Sequence, residues 1–186
     1  MGGVCYAVST VLNQVVVAKH AFTDGAKFAG ILGFVFTLTG MFGCVIFGII
    51  LDKSHRYKQI TLFVFIFSFF GLIAFSGALE IGSVWFLYVV WGLFGFFING
   101  YLFIGFEFAS EISYPQPEGT SSGLLNASAQ VFGIGFTLAA SEMVGRVGGL
   151  FTNTLLSITL FIGVITTALT KADLRRQRAL QNAIPT

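Results

Sequence analysis

Residues 114–137 read YPQPEGTSSGLLNASAQVFGIGFT, a proline-broken loop running straight into a long apolar helix. Pro115 and Pro117 lack an amide hydrogen and fix φ, so no helix passes through them, and Glu118-Gly119 close the loop. Thr120, Ser121 and Ser122 then offer hydroxyls to the free N–H groups of the helix that starts behind them. Along that helix Ser122, Asn126, Gln130, Gly133 and Thr137 recur at steps of three and four, and so share one face. Two amides on an apolar helix have two readings: hydrogen-bonded glue between helices of a bundle, or the lining of a path for a polar solute. On this helix alone both stand.

Only 10% of the 186 residues are charged against 55% hydrophobic, with 23 Phe and a mean hydropathy of +0.87. A soluble domain carries about 25% charged residues. Charge this sparse does not cover a water-facing surface, so the chain is an integral membrane protein set in a lipid bilayer. The formal charge of +2 gives no basic footprint, and no nucleic-acid partner is expected. Six apolar runs, about 1–18, 27–51, 60–79, 84–108, 122–142 and 149–170, each approach the ~20 residues that a bilayer core requires. Unbroken apolar runs without period-two alternation exclude a transmembrane β-barrel. Short connections pack the six spans into one all-α membrane domain over 1–186, with 171–186 as a tail. The third run is apolar around its whole circumference and is expected to meet lipid over much of its surface. The first is the weakest, since it carries Tyr6, Ser9, Thr10, Asn13 and Gln14.

The basic residues orient the bundle. Lys53, Arg56 and Lys58 fall in the second loop, and Lys171, Arg175, Arg176 and Arg178 in the tail. Six spans put both clusters on one side, cytoplasmic by the positive-inside rule, and leave Lys19, Lys27 and Arg146 opposite. The C-terminus and the loop at Tyr114 are then cytoplasmic, while Asp24 and Glu142 are expected solvated in outer loops. A chain that opens inside a span implies a preceding part. It has no basic stretch ahead of its apolar run and no cleavage site, so that run is not a signal peptide. Cys5 and Cys44 are expected as free, buried thiols.

Several residues invite chemistry. Residues 48–58, GIILDKSHRYK, place Gly48, Asp52, Arg56 and Lys58 as Gly-x-x-x-Asp-basic-x-x-Arg-x-Lys at a cytoplasmic hairpin. The glycine admits a neighbouring helix; the acid can meet a helix N-terminus or pair with Arg56. This pattern resembles the signature loop of major facilitator superfamily transporters, which recurs between the second and third helices of each six-helix half. Glu107 and Glu111 end the fourth span four residues apart, with Asn99 and Phe103 above them on the same face. Either these acids gate or carry protons, or they serve as a structural pair at a helix end where a hydrated carboxylate costs less. Small residues mark the spans: Ala29, Gly33, Gly40, Gly43 and Gly48 in the second, Gly95, Gly100 and Gly105 in the fourth. They permit close packing, and equally the sliding of helices.

On the first span Tyr6, Ser9 or Thr10, and Asn13 form a second polar stripe. A tyrosine facing a cavity can hold a quaternary ammonium over its ring, although tyrosines also collect at membrane interfaces. The sequon Asn126-Ala-Ser128 lies inside a span and is not a glycosylation site. His20 and His55 lie in loops, leaving no intramembrane histidine for a metal or haem iron. No nucleophile–base pair, metal cluster or nucleotide loop is present, so neither enzyme activity nor a cofactor is expected.

STVLNQ at 9–14, LDKSHRYKQITL at 51–62, GFFINGYLFIGFEFASEISYP at 95–115, PEGTSSGLLNASAQVFGIGFT at 117–137 and TALTKADLRRQ at 167–177 together look like one family. The chain resembles the feline leukaemia virus subgroup C receptor-related (FLVCR) transporters, within the major facilitator superfamily. The similarity covers the C-terminal half, the six-helix half of a twelve-helix bundle that begins with the family's seventh helix. It implies facilitated transport of choline and ethanolamine by uniport, most readily at the plasma membrane, with haem export as a competing assignment. Mitochondrial and endoplasmic-reticulum membranes are further locations. Tyr6 matches the family's tyrosine on the seventh helix and Gln130 its glutamine on the eleventh; both bind choline there, together with residues of the missing N-terminal half. Asn13, Asn99 and Asn126 become cavity-lining candidates, and Gly48, Asp52, Arg56, Glu107 and Glu111 candidates for conformational control. Around Met143 to Thr154 and in the short tail the chain departs from its relatives, and nothing carries over. A different class, a non-transporting receptor or scaffold, would leave both polar stripes without a purpose. Because the two matched residues belong to those stripes, the cavity reading moves ahead of the glue reading.

Overall fold

The computed structural model describes residues 1–19, 25–54 and 56–170, with the side chains of α1 described only in part. Asp24, His20, His55 and the tail 171–186 lie outside the described residues. The described chain is six helices: α1 Gly2–Lys19, α2 Gly25–Ser54, α3 Tyr57–Ile81, α4 Val84–Ser113, α5 Glu118–Val147 and α6 Gly149–Leu169. Five of them, α2 to α6, are long and apolar enough to cross a membrane. In hydrocarbon each backbone N–H and C=O must find its partner within the segment, and only helices do this span by span. Hydroxyls inside the spans obey the same constraint. Thr37, Thr61, Ser76 and Thr166 each donate to the carbonyl four residues earlier.

The ends show how the helices stop. α3 closes on Gly82, whose φ of 72° lets its N–H reach the Ala78 carbonyl at 3.2 Å. α5 begins earlier than its sequence suggests. Pro117 is its N-cap, in extended conformation, and the Pro117 carbonyl accepts from the N–H of Thr120 (3.0 Å) and of Ser121 (3.3 Å). Thr120 and Ser121 are therefore first-turn residues and Ser122 opens the second turn, none of them a cap, and Glu118 is the first helical residue instead of the end of the loop. Proline suits this entry because its fixed φ matches the start of a helix. At its other end α5 continues to Val147, so Glu142 sits on the helix, not in a loop, and its carboxylate pairs with Arg146 one turn on at 2.6 Å.

α4 is the hub, lying between α2, with which it runs parallel, and α3, with which it runs antiparallel. α3 carries α6 on its other side, while α1 packs chiefly along α5 and also touches α6 and α2. Thus α3 is buried between two helices on one side and exposes Phe63, Phe67, Phe70, Ile73, Ala74 and Ile81 outside them. Trp91 anchors the centre: it is fully buried, with the rings of Phe75 at 4.3 Å and of Phe36 and Phe94 at 5.3 Å. A second apolar cluster, Phe47, Leu51, Tyr57, Val64, Ile104 and Phe108, fills the end of the bundle at the α2–α3 hairpin.

The α2–α4 crossing depends on glycine. A methyl on Gly43 would overlap the Phe96 carbonyl oxygen, one on Gly95 would lie 2.7 Å from the Phe36 carbonyl oxygen, and one on Gly100 would overlap the Phe47 ring. Gly33, in contrast, has nothing within 4 Å of the corresponding position. Gly43→Leu is expected to destabilise the bundle by about 1–3 kcal/mol or more, the range for overpacking a filled interface, whereas Gly33→Ala leaves it unchanged or slightly raised. Thermal melts in detergent micelles measure both; an unchanged midpoint for Gly43→Leu would contradict the crossing.

Candidate functional site

α1 meets α5 by the same device. A methyl on Gly3 would stand 3.0 Å from the Gly133 nitrogen, and one on Gly2 would stand 3.1 Å from the Ala129 side chain. The backbones can therefore touch, and the turn after Gly3 lays Tyr6 across Gly133, where an added methyl would be 3.1 Å from the ring. From that position the Tyr6 hydroxyl accepts a hydrogen bond from Gln130 Nε2 at 3.3 Å. Tyr6 is 36% exposed, and Gln130 is exposed as well. The bond uses one donor of the amide, and among the described residues it leaves Gln130 Oε1 as a free acceptor and the Tyr6 hydroxyl hydrogen as a free donor. A half-open ring face, a phenol and an amide oxygen thus stand together on one surface of the bundle. Thr10 keeps its hydroxyl on the Tyr6 carbonyl at 2.8 Å and adds no donor to this surface.

The other sequence candidates divide. Asn126 is exposed on α5, one turn before Gln130. Asn13 lies on α1, but its side chain is outside the described residues. Asn99 stands elsewhere. Its Nδ2 donates to the Gly95 carbonyl at 2.9 Å and its side chain fills the space over Gly40, where an added methyl would be 2.5 Å from Nδ2. It packs into the α2–α4 seam, with its side-chain hydrogen bond kept within α4. Cys44 strengthens that seam, its thiol half-buried and donating to the Asn99 carbonyl at 3.3 Å; Cys5 is buried, and both are free.

At the α2–α3 hairpin, Gly48 admits the Phe103 ring, 3.2 Å from where a methyl would stand. Asp52 and Arg56 are both exposed, and no ion pair joins them among the described residues. The basic group with a partner is Lys58, whose Nζ donates to the Ala168 carbonyl at 2.8 Å and so caps the end of α6. Glu107 is half-buried. Glu111 is 3% exposed, and its Oε2 has no hydrogen-bond partner among the described residues, so the carboxylate at this helix end is buried, not hydrated. Continuation of α4 to Ser113 is the reason: Glu111 lies on the same face as Ile104 and Phe108 and follows them into the apolar cluster.

Two polar contacts were not legible from the sequence. Lys58 of α3 reaches the Ala168 carbonyl of α6 across 110 residues, and Ser141 Oγ donates to Gln14 Oε1 at 3.1 Å across 127 residues. Spacing along one helix carries no signal for either. The Gly2-Gly3 pair could have marked the α1–α5 crossing, since adjacent glycines at a helix start are where two backbones can meet.

Over nearly its whole length the chain is similar to curated membrane proteins. It is 46% identical over 96% of its length to the choline/ethanolamine transporter flvcr2a of Danio rerio, covering 38% of that protein. To the choline/ethanolamine transporter FLVCR1 of Felis catus it is 46% identical over 94% of its length, covering 31%. To an MFS-type transporter of Caenorhabditis elegans it is 41% identical over 99%, again covering 31%. The chain thus spans about a third of the length of the relatives it matches. No protein-family model matches it.

A buried carboxylate oxygen without a donor costs roughly 1–3 kcal/mol. Glu111→Met, of similar volume and without charge, is therefore expected to raise the melting midpoint. A midpoint that falls instead would mean that the carboxylate is satisfied by a group beyond the described residues.

Proposed function

Because this chain belongs to the FLVCR-type transporters of the major facilitator superfamily and corresponds to their C-terminal half, we propose that it forms one wall of a site for choline and ethanolamine. The observation that carries this reading is the contact between Tyr6 and Gln130, which joins two residues 124 apart at an open surface. A quaternary or primary ammonium over the free ring face of Tyr6 gains about 0.5–2 kcal/mol from the ring quadrupole. The substrate's hydroxyl would donate to Gln130 Oε1, the acceptor that the Tyr6 bond leaves free. The bond in turn holds both side chains in place before the substrate arrives, which lowers the ordering cost of binding.

Transport then follows by alternating access. The open faces of α1 and α5 meet the N-terminal six-helix half, and the two halves rock about the site between them, carrying substrate down its gradient as a uniporter. Asn126, one turn from Gln130 on the same exposed face, lines the approach. The hairpin bearing Gly48, Asp52 and Arg56 acts on the conformational equilibrium, as do Glu107 and Glu111 at the same end of the bundle. The hairpin and the C-terminus face the cytoplasm, by the excess of Lys and Arg there, and the plasma membrane is the site of action.

Labelled-choline uptake, by cells expressing this chain joined to the N-terminal half of an FLVCR relative, tests the reading. Tyr6→Ala should lower uptake at a given concentration by about tenfold, within the range of a lost cation–π contact, with surface level unchanged; Tyr6→Phe, which keeps the ring, should cost less. Gln130→Ala should lose saturable uptake. Equal uptake by wild type and Tyr6→Ala would remove Tyr6 from the site, and no uptake by any form at the cell surface would turn the question to haem efflux.

The hairpin makes a separate expectation. Asp52→Asn should shift the balance of inward-open and outward-open states, read as the labelling rates of cysteines placed at either mouth of the cavity. Identical rates would exclude Asp52 from conformational control.

A further inference from the structure

α1 and α5 run side by side in the same direction, since Gly2, Gly3 and Tyr6 meet Ala129 and Gly133 while Gln14 meets Ser141. The glycine crossing is the closest backbone approach of this pair, and the packing of α1 along α5 beyond it is apolar contact that tolerates small changes of splay more readily than a hydrogen bond does. Gln14 is eight residues beyond Tyr6, about 12 Å along α1 at 1.5 Å per residue. There Ser141 Oγ donates to Gln14 Oε1 at 3.1 Å and supplies a directional tie. On α1, Tyr6 stands between the glycine crossing and this contact; on α5, Gln130 lies at the crossing itself, between Ala129 and Gly133. Their own bond, at 3.3 Å, is at the long end for an N–H donor. A few degrees of splay about the crossing, acting on a ring about one turn away, moves the phenol by several tenths of an ångström and breaks it.

We propose that Gln14 and Ser141 are positioning residues: their hydrogen bond sets the angle between α1 and α5 and thereby holds the Tyr6 ring and the Gln130 amide in register for substrate. Neither side chain needs to touch the substrate. Ser141 donates and the Gln14 carbonyl oxygen accepts, so the contact requires a hydroxyl on α5 and an amide or carboxylate oxygen on α1. Leu, Ala or Val at either position breaks it without changing the glycine crossing. That substrate is what the register serves rests on the choline reading of the site; the register itself does not.

Two measurements separate these. With 3-fluorotyrosine placed at position 6 of the full chain in lipid nanodiscs, the ¹⁹F shift reports the Tyr6–Gln130 bond, and Gln130→Ala defines its value when the bond is lost. Ser141→Ala and Gln14→Leu should each move the shift most of the way to that value, while Ser141→Thr, which keeps the hydroxyl, should stay at wild type. In the uptake assay the same two variants should raise the half-saturating choline concentration about fivefold, the loss of roughly one hydrogen bond, with the maximal rate and surface level little changed. A ¹⁹F shift that stays at the wild-type value in both Ser141→Ala and Gln14→Leu overturns the proposal. A shift that moves while the wild type takes up no choline keeps the positioning role and sinks the choline reading instead.

Discussion

Backbone touches backbone at two crossings, α2 on α4 and α1 on α5, and no residue larger than glycine allows it. Lipid tails are as apolar as leucine, so burial of apolar surface gives helices in a bilayer little reason to prefer one another to lipid. What remains is dispersion between closely fitted surfaces and the occasional hydrogen bond between helices. Gly43, Gly95 and Gly100 bring α2 within contact of α4. The aromatic centre around Trp91 then assembles on α4, with Phe36 from α2 and Phe75 from α3. Gly3 and Gly133 do the same for α1 and α5, and Tyr6 gains its place because the residue beneath its ring is a glycine. The site is therefore a consequence of packing, not an addition to it.

Polar side chains sort by what they can reach. Most hydroxyls in the spans turn back to the carbonyl one turn earlier and so present an apolar surface to their neighbours. Asn99, which shares the residue type of Asn126, also turns back, because α2 crosses directly over it at Gly40. Gln130 and Gln14 do otherwise. Each reaches across to the partner helix, Gln130 to α1 and Gln14 to α5, which makes the α1–α5 pair a seam tied by side chains as well as by shape. α2 and α4 are tied instead through a thiol and a backbone carbonyl. The seam with amides is the open one, and α5 keeps most of its surface exposed, including Asn126 and the large apolar side chains Leu124, Val131, Phe132 and Leu138.

Much of this was legible beforehand. Six apolar runs with almost no charge admit only a helical membrane bundle, since nothing else satisfies the backbone in hydrocarbon. Tyr6 and Gln130 stood out as polar residues at helical spacing on otherwise apolar helices, and the family resemblance singled out the same two. Helix ends were harder. Hydropathy ends where side chains become polar, but hydrogen bonding continues, so α4 carries Glu111 into an apolar cluster and α5 carries Glu142 along its last turns.

By itself, then, the sequence determined the class of structure, the number of helices and which residues could form a polar surface, because those depend on composition and on periods of three to four residues along one helix. Only the tertiary structure decided which polar residues share a surface. Asn99 and Gln130 look alike in sequence; one is closed over by α2 and the other opens beside Tyr6, because of where glycines let the neighbouring backbone approach. Contacts such as Ser141 to Gln14 join residues 127 apart. They depend on the direction and angle of two helices packed together, which no periodicity within either helix encodes.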